Sequence, residues 1–133
     1  MSSKRSAKDW VEDGDRLTAA GNYKDAVKGY DNALKADSKC KEAHLNKSVA
    51  LQKAGNFKDA LKCYDQAVKI DPTFKEAWLA KCLLSKKLMK FDDAAKSCAK
   101  AVEIDPGWEE AQNLMKELKE LVATWEEFMQ EQE

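Results

Sequence analysis

The sequence predicts an all-α protein built from stacked helical hairpins, and three observations point to this fold. A segment of 34 residues occurs three times without gaps. Within each copy, apolar residues recur at helical spacing in two stretches that a turn separates. Only five glycines and two prolines interrupt the 133 residues, whereas 35% of the residues are charged. A chain of this length buries most of its apolar surface as one ordinary domain.

The repeat is clearest at the turn inside each copy. The sequence Gly-Asn-Tyr-Lys-Asp-Ala at 21–26 recurs as Gly-Asn-Phe-Lys-Asp-Ala at 55–60 and as Met-Lys-Phe-Asp-Asp-Ala at 89–94. A glycine at this place is typical of the left-handed residue that ends a helix. Because Met89 replaces that glycine in the third copy, we expect it to adopt the same backbone, at a cost of about 1 kcal/mol relative to glycine.

The apolar periodicity and the end signals predict seven helices. Ser6, three residues before Asp9, is a suitable N-cap for the first helix. Asp71 precedes Pro72 and therefore ends the fourth helix, because the residue before a proline is disfavoured in helical geometry. The predicted helices are residues 7–20, 24–36, 41–54, 58–70, 75–88, 92–104 and 108–130. The predicted organisation is a flexible N-terminus at 1–6, repeats at 7–40, 41–74 and 75–108, and a C-terminal capping helix with an overhang at 109–133.

Paired alanines in the second helix of each copy predict close helix packing. The two alanines lie seven residues apart, which is two helical turns, so each pair marks one face. A small side chain lets two helix axes approach, and a larger one would overpack the contact at a cost of about 1–3 kcal/mol. The pairs are Ala26 and Ala33, Ala60 and Ala67, and Ala94 and Ala101.

These motifs together resemble the tetratricopeptide repeat family, whose signature is W-x2-L-G-x2-Y, then A-x3-F, then P. The matching residues are Trp10, Gly14, Ala26 and Tyr30 in the first copy, Ala60, Tyr64 and Pro72 in the second, and Trp78, Ala94 and Pro106 in the third. The departures are Asp13, Leu17, Ser38, His44 and Met89. The resemblance covers residues 7–108, with 109–121 as the extra terminal helix. It implies a right-handed superhelical solenoid of three helix-turn-helix hairpins plus an extended C-terminal helix, and a protein-binding role as an adaptor, scaffold or co-chaperone-like module.

The resemblance also implies where a partner binds, because the first helix of each hairpin lines a concave face in this family. Helical spacing then predicts a peptide-binding groove formed by Val11, Asp15, Leu45, Asn46, Val49, Lys53, Leu79, Ala80, Leu83, Lys86 and Lys87. Val11, Leu45 and Leu79 form an apolar central row with Val49 and Leu83 beside it. We expect Leu45, Leu79 and Leu83 to face solvent. Such a groove suits an extended or helical peptide with apolar anchors and mixed flanking charge. The alternative is that these side chains only pack within the array.

Some members of the family grip the C-terminal carboxylate of heat-shock chaperones with a clamp of lysine, arginine and asparagine. Of the clamp positions, only Asn46 matches here. The other positions hold Val11, Asp15, Glu76 and Ala80. Two of these residues are acidic and would repel a carboxylate, so a chaperone tail is not the expected ligand.

The C-terminal helix is longer than a capping helix requires. Its apolar residues step by four and three, which is a heptad seam formed by Leu114, Leu118, Leu121, Trp125 and Phe128. One interpretation packs the whole seam on the repeat array. In the other, an overhang binds a second copy of the chain, giving a homodimer, or a partner helix, because full exposure of these side chains would be unfavourable. The overhang residues are Leu121, Trp125, Phe128 and Met129. The alternative function is therefore a structural or assembly protein that self-associates through this helix.

Composition argues against several other classes of protein. The 23 basic and 24 acidic residues nearly cancel and are interspersed, so neither nucleic acid nor a membrane is an expected partner. The polar residues 1–6 lack the apolar core of a secretory signal, and a cytoplasmic protein is expected. Four cysteines without a CxxC pair and a single histidine give no zinc-ligand set. No nucleophile with its base and no glycine-rich loop is recognisable, so neither an enzyme nor a cofactor is expected.

Overall fold

A computed structural model describes residues 4–133, which divide into two compact units. Unit 1 ends at Pro72, and unit 2 spans Thr73–Glu133. Residues 1–3 of the predicted flexible N-terminus lie outside the described residues. Within residues 4–133 the structure contains seven α-helices and no strand. The helices are α1 (Ala7–Ala19), α2 (Tyr23–Ala36), α3 (Lys41–Lys53), α4 (Phe57–Ile70), α5 (Lys75–Lys87), α6 (Phe91–Ile104) and α7 (Glu109–Glu131).

Consecutive helices pair as hairpins, and the predicted elements are confirmed to within one residue at every end. In unit 1, α1 pairs with α2 and α3 with α4, and α3 also packs against α1 and α2. In unit 2, α5 pairs with α6, and α7 packs on α6. The short turns between the paired helices force each helix to return beside the one before it.

The helix ends follow the local signals in the sequence. The Ser6 hydroxyl accepts a hydrogen bond from the Asp9 backbone N–H at 3.1 Å, and the Asp9 carboxylate accepts one from the Ser6 N–H at 3.1 Å. This reciprocal pair is the predicted capping box. Gly21 and Gly55 have φ of 83° and 87°, and Met89 has φ of 62°, so the expected left-handed backbone at Met89 is confirmed.

The paired alanines are all in the buried part of the fold, as close helix packing requires. All six are completely buried. In unit 1 each pair brackets a buried tyrosine in the sequence of the same helix, Tyr30 on α2 and Tyr64 on α4. An ion pair also closes the α3–α4 hairpin, since Lys41 Nζ lies 2.5 Å from an Asp71 carboxylate oxygen. Lys75 and Asp105 form the same pair at 2.6 Å around α5 and α6, 34 positions later.

The core of unit 2 joins all three of its helices. Its buried residues are Leu79 and Cys82 of α5, Ala94, Cys98 and Ala101 of α6, and Ala111, Leu114 and Leu118 of α7. Three of the four cysteines in the chain are buried, where a free thiol packs as a small apolar side chain. The Cys98 thiol donates to the Ala111 carbonyl at 3.2 Å, and burial raises the pKa of Cys82 and of Cys98. These thiols therefore stay protonated at neutral pH and act as small apolar side chains.

Replacing Met89 with glycine is expected to stabilise unit 2 by about 1 kcal/mol, because the left-handed backbone strains a residue that carries a Cβ. The Met89 side chain is 70% exposed, so its removal gives up little packing. Urea denaturation followed by circular dichroism measures the change. Gly55→Met, which introduces the same strain into the equivalent turn of unit 1, is the reciprocal control and is expected to lower the midpoint. An unchanged or lower midpoint for Met89→Gly would contradict the assigned strain.

Candidate functional site

Unit 1 carries an open pocket between α1 and α3. It has a volume of about 330 Å³ and is lined by Asp15, Thr18 and Ala19 of α1, Tyr30 of α2, and Asn46, Val49 and Lys53 of α3. Four of the predicted groove residues therefore meet here, namely Asp15, Asn46, Val49 and Lys53. We refer to these seven lining residues as the α1/α3 pocket.

A hydrogen-bond network fixes the carboxylate of Asp15 in this pocket. The Tyr30 hydroxyl donates to Asp15 Oδ1 at 2.6 Å, and the Asn46 amide donates to the same oxygen at 3.0 Å. Thr18 Oγ1 lies 3.1 Å from the Tyr30 hydroxyl and 2.9 Å from the Gly14 carbonyl oxygen. Three helices thus hold one carboxylate, and hydrogen bonds to a charged acceptor are stronger than those between neutral groups.

The position of Tyr30 depends on the glycine opposite its ring. A Cβ built on Gly14 would lie 2.5 Å from Tyr30 Cε1, so only a residue without a side chain leaves room for the ring. Tyr30 is almost fully buried, and this burial, together with its hydrogen bond to Asp15, raises the pKa of its phenol. The hydroxyl therefore remains a proton donor at neutral pH, and Asp15 keeps its partner.

Charge and polarity in the α1/α3 pocket are unevenly placed. Asp15 contributes a negative charge at the α1 side, and Lys53, which is exposed, contributes a positive charge at the end of α3. Val49 is the main apolar residue of the lining. The pocket can therefore take a cationic group beside Asp15, an anionic group near Lys53, and an apolar side chain between them.

The structure corrects part of the predicted central row in unit 1. Val11 is half-buried and packs against the core cluster that contains Ala26, Tyr30 and Ala50. Leu45 is also half-buried and lies outside the lining of the pocket. The pocket is consequently more polar than the expected apolar row. Thr18, Ala19 and Tyr30 were not among the predicted site residues. The repeat contains a signal that could have identified Tyr30. Tyr30 follows Thr18 by twelve residues, just as Tyr64 follows Gln52, and the Tyr64 hydroxyl donates to the Gln52 side chain at 3.0 Å.

In unit 2 the expected exposure of Leu79 is wrong. Leu79 is only 6% exposed, because it belongs to the core cluster that includes Leu114 and Leu118 of α7. The other predicted groove residues of α5 differ in how far they are exposed to solvent. Leu83 is 44% exposed, Lys87 is exposed, and Ala80 and Lys86 are half-buried, with Lys86 ion-paired to Glu117 of α7. Their role in ligand binding remains a prediction.

The end of α7 is an uncovered apolar surface. Trp125, Phe128 and Met129 are 52%, 49% and 48% exposed, and Leu121 is half-buried. The Trp125 and Phe128 rings stack with their centroids 5.7 Å apart. We call Leu121, Trp125, Phe128 and Met129 the α7 stripe. The core cluster of unit 2 includes Leu114 and Leu118 but none of the stripe residues, so the whole seam does not pack there. Binding of a second copy or a partner helix by the stripe remains a prediction.

We also considered His44, metal-binding groups and membrane-spanning helices as functional features. Burial lowers the pKa of His44, so this side chain is neutral at physiological pH, and its buried Nδ1 has no hydrogen-bond partner among the described residues. Within residues 4–133, no group of three or more histidine, cysteine or carboxylate side chains is placed to hold a metal ion. None of the helices in this part of the chain is both long and apolar enough to cross a bilayer.

Comparison with solved structures shows the same fold in other proteins. The first TPR domain of Spaghetti (RPAP3), solved with the HSP90 peptide SRMEEVD, superposes with a TM-score of 0.82 at 22% identity, covering 88% of this chain and 93% of that one. The first TPR domain of human RPAP3 also gives 0.82 at 22% identity, with 91% and 95% covered. The Sgt2 TPR domain from Aspergillus fumigatus gives 0.82 at 17% identity, with 91% and 82% covered. At these identities the likeness concerns the fold.

Sequence comparison settles the family. Among curated proteins, none matches this chain. The family model for the tetratricopeptide repeat matches residues 17–82 and 51–118, which together span well over half of the chain. The matched regions include the second helix of the first copy and the whole of the second and third copies. The chain belongs to the tetratricopeptide repeat family.

Proposed function

We propose that the protein is a cytoplasmic, non-enzymatic adaptor or scaffold that binds a peptide segment of a partner protein in the α1/α3 pocket. The observation that carries this proposal is the carboxylate of Asp15, which Tyr30 and Asn46 hold in the lining of an open pocket. Both hydrogen bonds end on Oδ1, so Oδ2 retains its capacity to accept from a ligand. The proposed ligand carries a lysine or arginine opposite Asp15 and an apolar side chain against Val49.

The same arrangement disfavours a carboxylate as ligand. In a clamp for an acidic tail, the Asn46 amide would donate to the ligand, but here it donates to Asp15 at 3.0 Å. A bound carboxylate would also lie beside the negative charge of Asp15. We therefore propose that the co-chaperone-like binding of acidic tails, for which the RPAP3 domains were solved with HSP90 and HSP70 peptides, is not the activity of this chain.

Peptides selected from a random library on the full chain are expected to share a basic residue next to an apolar one. Val49→Glu should weaken their binding by about tenfold or more, because it places a charge on the apolar wall of the pocket. Calorimetric titration measures the dissociation constants. Ala36→Glu introduces the same charge at an exposed alanine outside the pocket and is the matched control, with unchanged affinity expected.

Two results would contradict the proposal. The first is equal binding of the selected peptides to wild type and to Val49→Glu, when circular dichroism shows both to be folded. The second is binding of the acidic peptide SRMEEVD at low micromolar concentration that is lost in Asn46→Ala. That result would show that the side chain of Asn46 leaves Asp15 to grip a carboxylate.

The exposed α7 stripe favours a second candidate function, association through the C-terminal helix. Large apolar side chains that lie together on a soluble surface mark an interaction site. The two occupants predicted from the sequence are a second copy of the chain and a helix of a partner. The charges around the stripe distinguish these occupants.

A further inference from the structure

The end of α7 combines apolar side chains with a charge of one sign. From Glu120 to Glu133 the chain contains five glutamates and no lysine or arginine, so this segment carries a charge of −5 at neutral pH. The chain as a whole has a net charge of only −1. The α7 stripe therefore lies in the most one-sided charge environment of the C-terminal helix.

The helical positions of the glutamates place them beside the α7 stripe. The stripe residues lie on one face, since 125 follows 121 by four residues, and 128 and 129 follow 125 by three and four. Glu126 and Glu127 flank Trp125 and Phe128 around the helix, and Glu131 follows one turn after Glu127. The residues from Ala123 to Glu133 are all exposed, so these carboxylates border an uncovered apolar surface.

A second copy of the chain is a poor match for this surface. Pairing two α7 stripes would bring two segments of charge −5 together, and like charges across an interface oppose association. A helix with lysine or arginine beside its own apolar stripe offers opposite charge at the same positions. Flanking charges of this kind set partner choice in paired helices.

We infer that the α7 stripe binds a basic amphipathic helix of another protein. This inference rests on the second candidate function and names its partner. Trp125 and Phe128, already stacked on each other, are the apolar anchors, and the surrounding glutamates attract the basic flanks of the partner. Aromatic residues in the middle of a helical face are typical anchors of a helix–helix interface.

The test uses two designed helical peptides of about three heptads, with leucine at the seam positions and either lysine or glutamate at the flanking positions. Fluorescence anisotropy of labelled peptide with the full chain measures binding. The lysine peptide is expected to bind about tenfold or more tightly than the glutamate peptide. Raising the salt concentration from about 0.05 M to about 0.5 M should weaken the binding of the lysine peptide, because the flanking charges are exposed.

Variants locate the binding surface. Trp125→Glu/Phe128→Glu is expected to abolish binding of the lysine peptide while far-ultraviolet circular dichroism stays unchanged, because both side chains are exposed. Met89→Glu/Ala99→Glu is the matched control, since it adds the same two charges at two other exposed apolar residues of unit 2, outside the predicted groove and the α7 stripe. Its affinity for the lysine peptide should equal that of wild type.

Three results would overturn the inference. Equal affinity for the lysine and glutamate peptides would show that the glutamates beside the α7 stripe do not select the partner. Loss of binding in Met89→Glu/Ala99→Glu but not in the α7 variant would place the peptide elsewhere on unit 2 and would contradict binding at the α7 stripe. A dimer in sedimentation equilibrium at about 100 µM that Trp125→Glu/Phe128→Glu dissociates would make a second copy the occupant. None of these results affects the α1/α3 pocket, which is tested separately by Val49→Glu.

Discussion

Replacing Leu118 with alanine is expected to destabilise unit 2 by about 2–5 kcal/mol, which is a large fraction of the stability of a small domain. Leu118 is completely buried and is the last α7 residue in the core cluster with Leu79 and Cys98. Its removal leaves a cavity between rigid helices that cannot close around it. It also removes the last fully buried side chain by which α7 packs in this core.

Phe128→Ala is the control for this change on the same helix. Phe128 is 49% exposed, so its truncation should alter stability by no more than about 0.5 kcal/mol. Urea denaturation of both variants, followed by circular dichroism, gives the comparison. Similar midpoints for the two variants would mean that α7 is not docked through Leu118, and the overhang would then begin earlier than Leu121.

The parts of the fold that the sequence predicts well are those that local chemistry determines. The predicted and observed helix ends agree because the repeat shows each boundary three times. The boundary inside each copy lies at a turn whose left-handed backbone favours glycine. Met89 shows the strength of this argument, since its φ of 62° follows from its place in the repeat and not from its residue type. The capping box of Ser6 and Asp9 is equally local, because it links residues only three apart.

The exposure of Leu79 could not be predicted in the same way. Helical spacing assigns a residue to a face of its helix, but it does not say whether another element covers that face. Leu45 and Leu79 occupy equivalent positions, yet Leu45 is half-buried and Leu79 is only 6% exposed. The difference arises because Leu79 packs in one cluster with Leu114 and Leu118 of the terminal helix. A repeat pattern therefore predicts least where the array ends.

The composition of the α1/α3 pocket was predicted in part. Asp15, Asn46, Val49 and Lys53 follow from helical spacing along the first helix of each hairpin. Tyr30 lies on the second helix of its hairpin, and the sequence identified it only as a match to the repeat signature. What spacing cannot show is that its hydroxyl reaches Asp15 on α1 at 2.6 Å. Such a contact depends on how closely α1 and α2 approach, and Gly14 determines that distance.

Gly14→Ala is accordingly expected to destabilise unit 1 by about 1–3 kcal/mol, whereas Gly29→Ala should be neutral or stabilise it by up to about 1 kcal/mol. Both are buried glycines inside helices, so alanine improves helix propensity at each. At Gly14 the new Cβ would lie 2.5 Å from Tyr30 Cε1, while at Gly29 its nearest neighbour is 3.5 Å away. The Tyr30 ring would have to move, and its hydroxyl would leave Asp15. Denaturation midpoints and binding of the selected peptides measure the two effects. A lower midpoint and weaker binding for Gly14→Ala alone would show that packing between α1 and α2 positions the carboxylate of Asp15. Equal midpoints for the two variants would refute this.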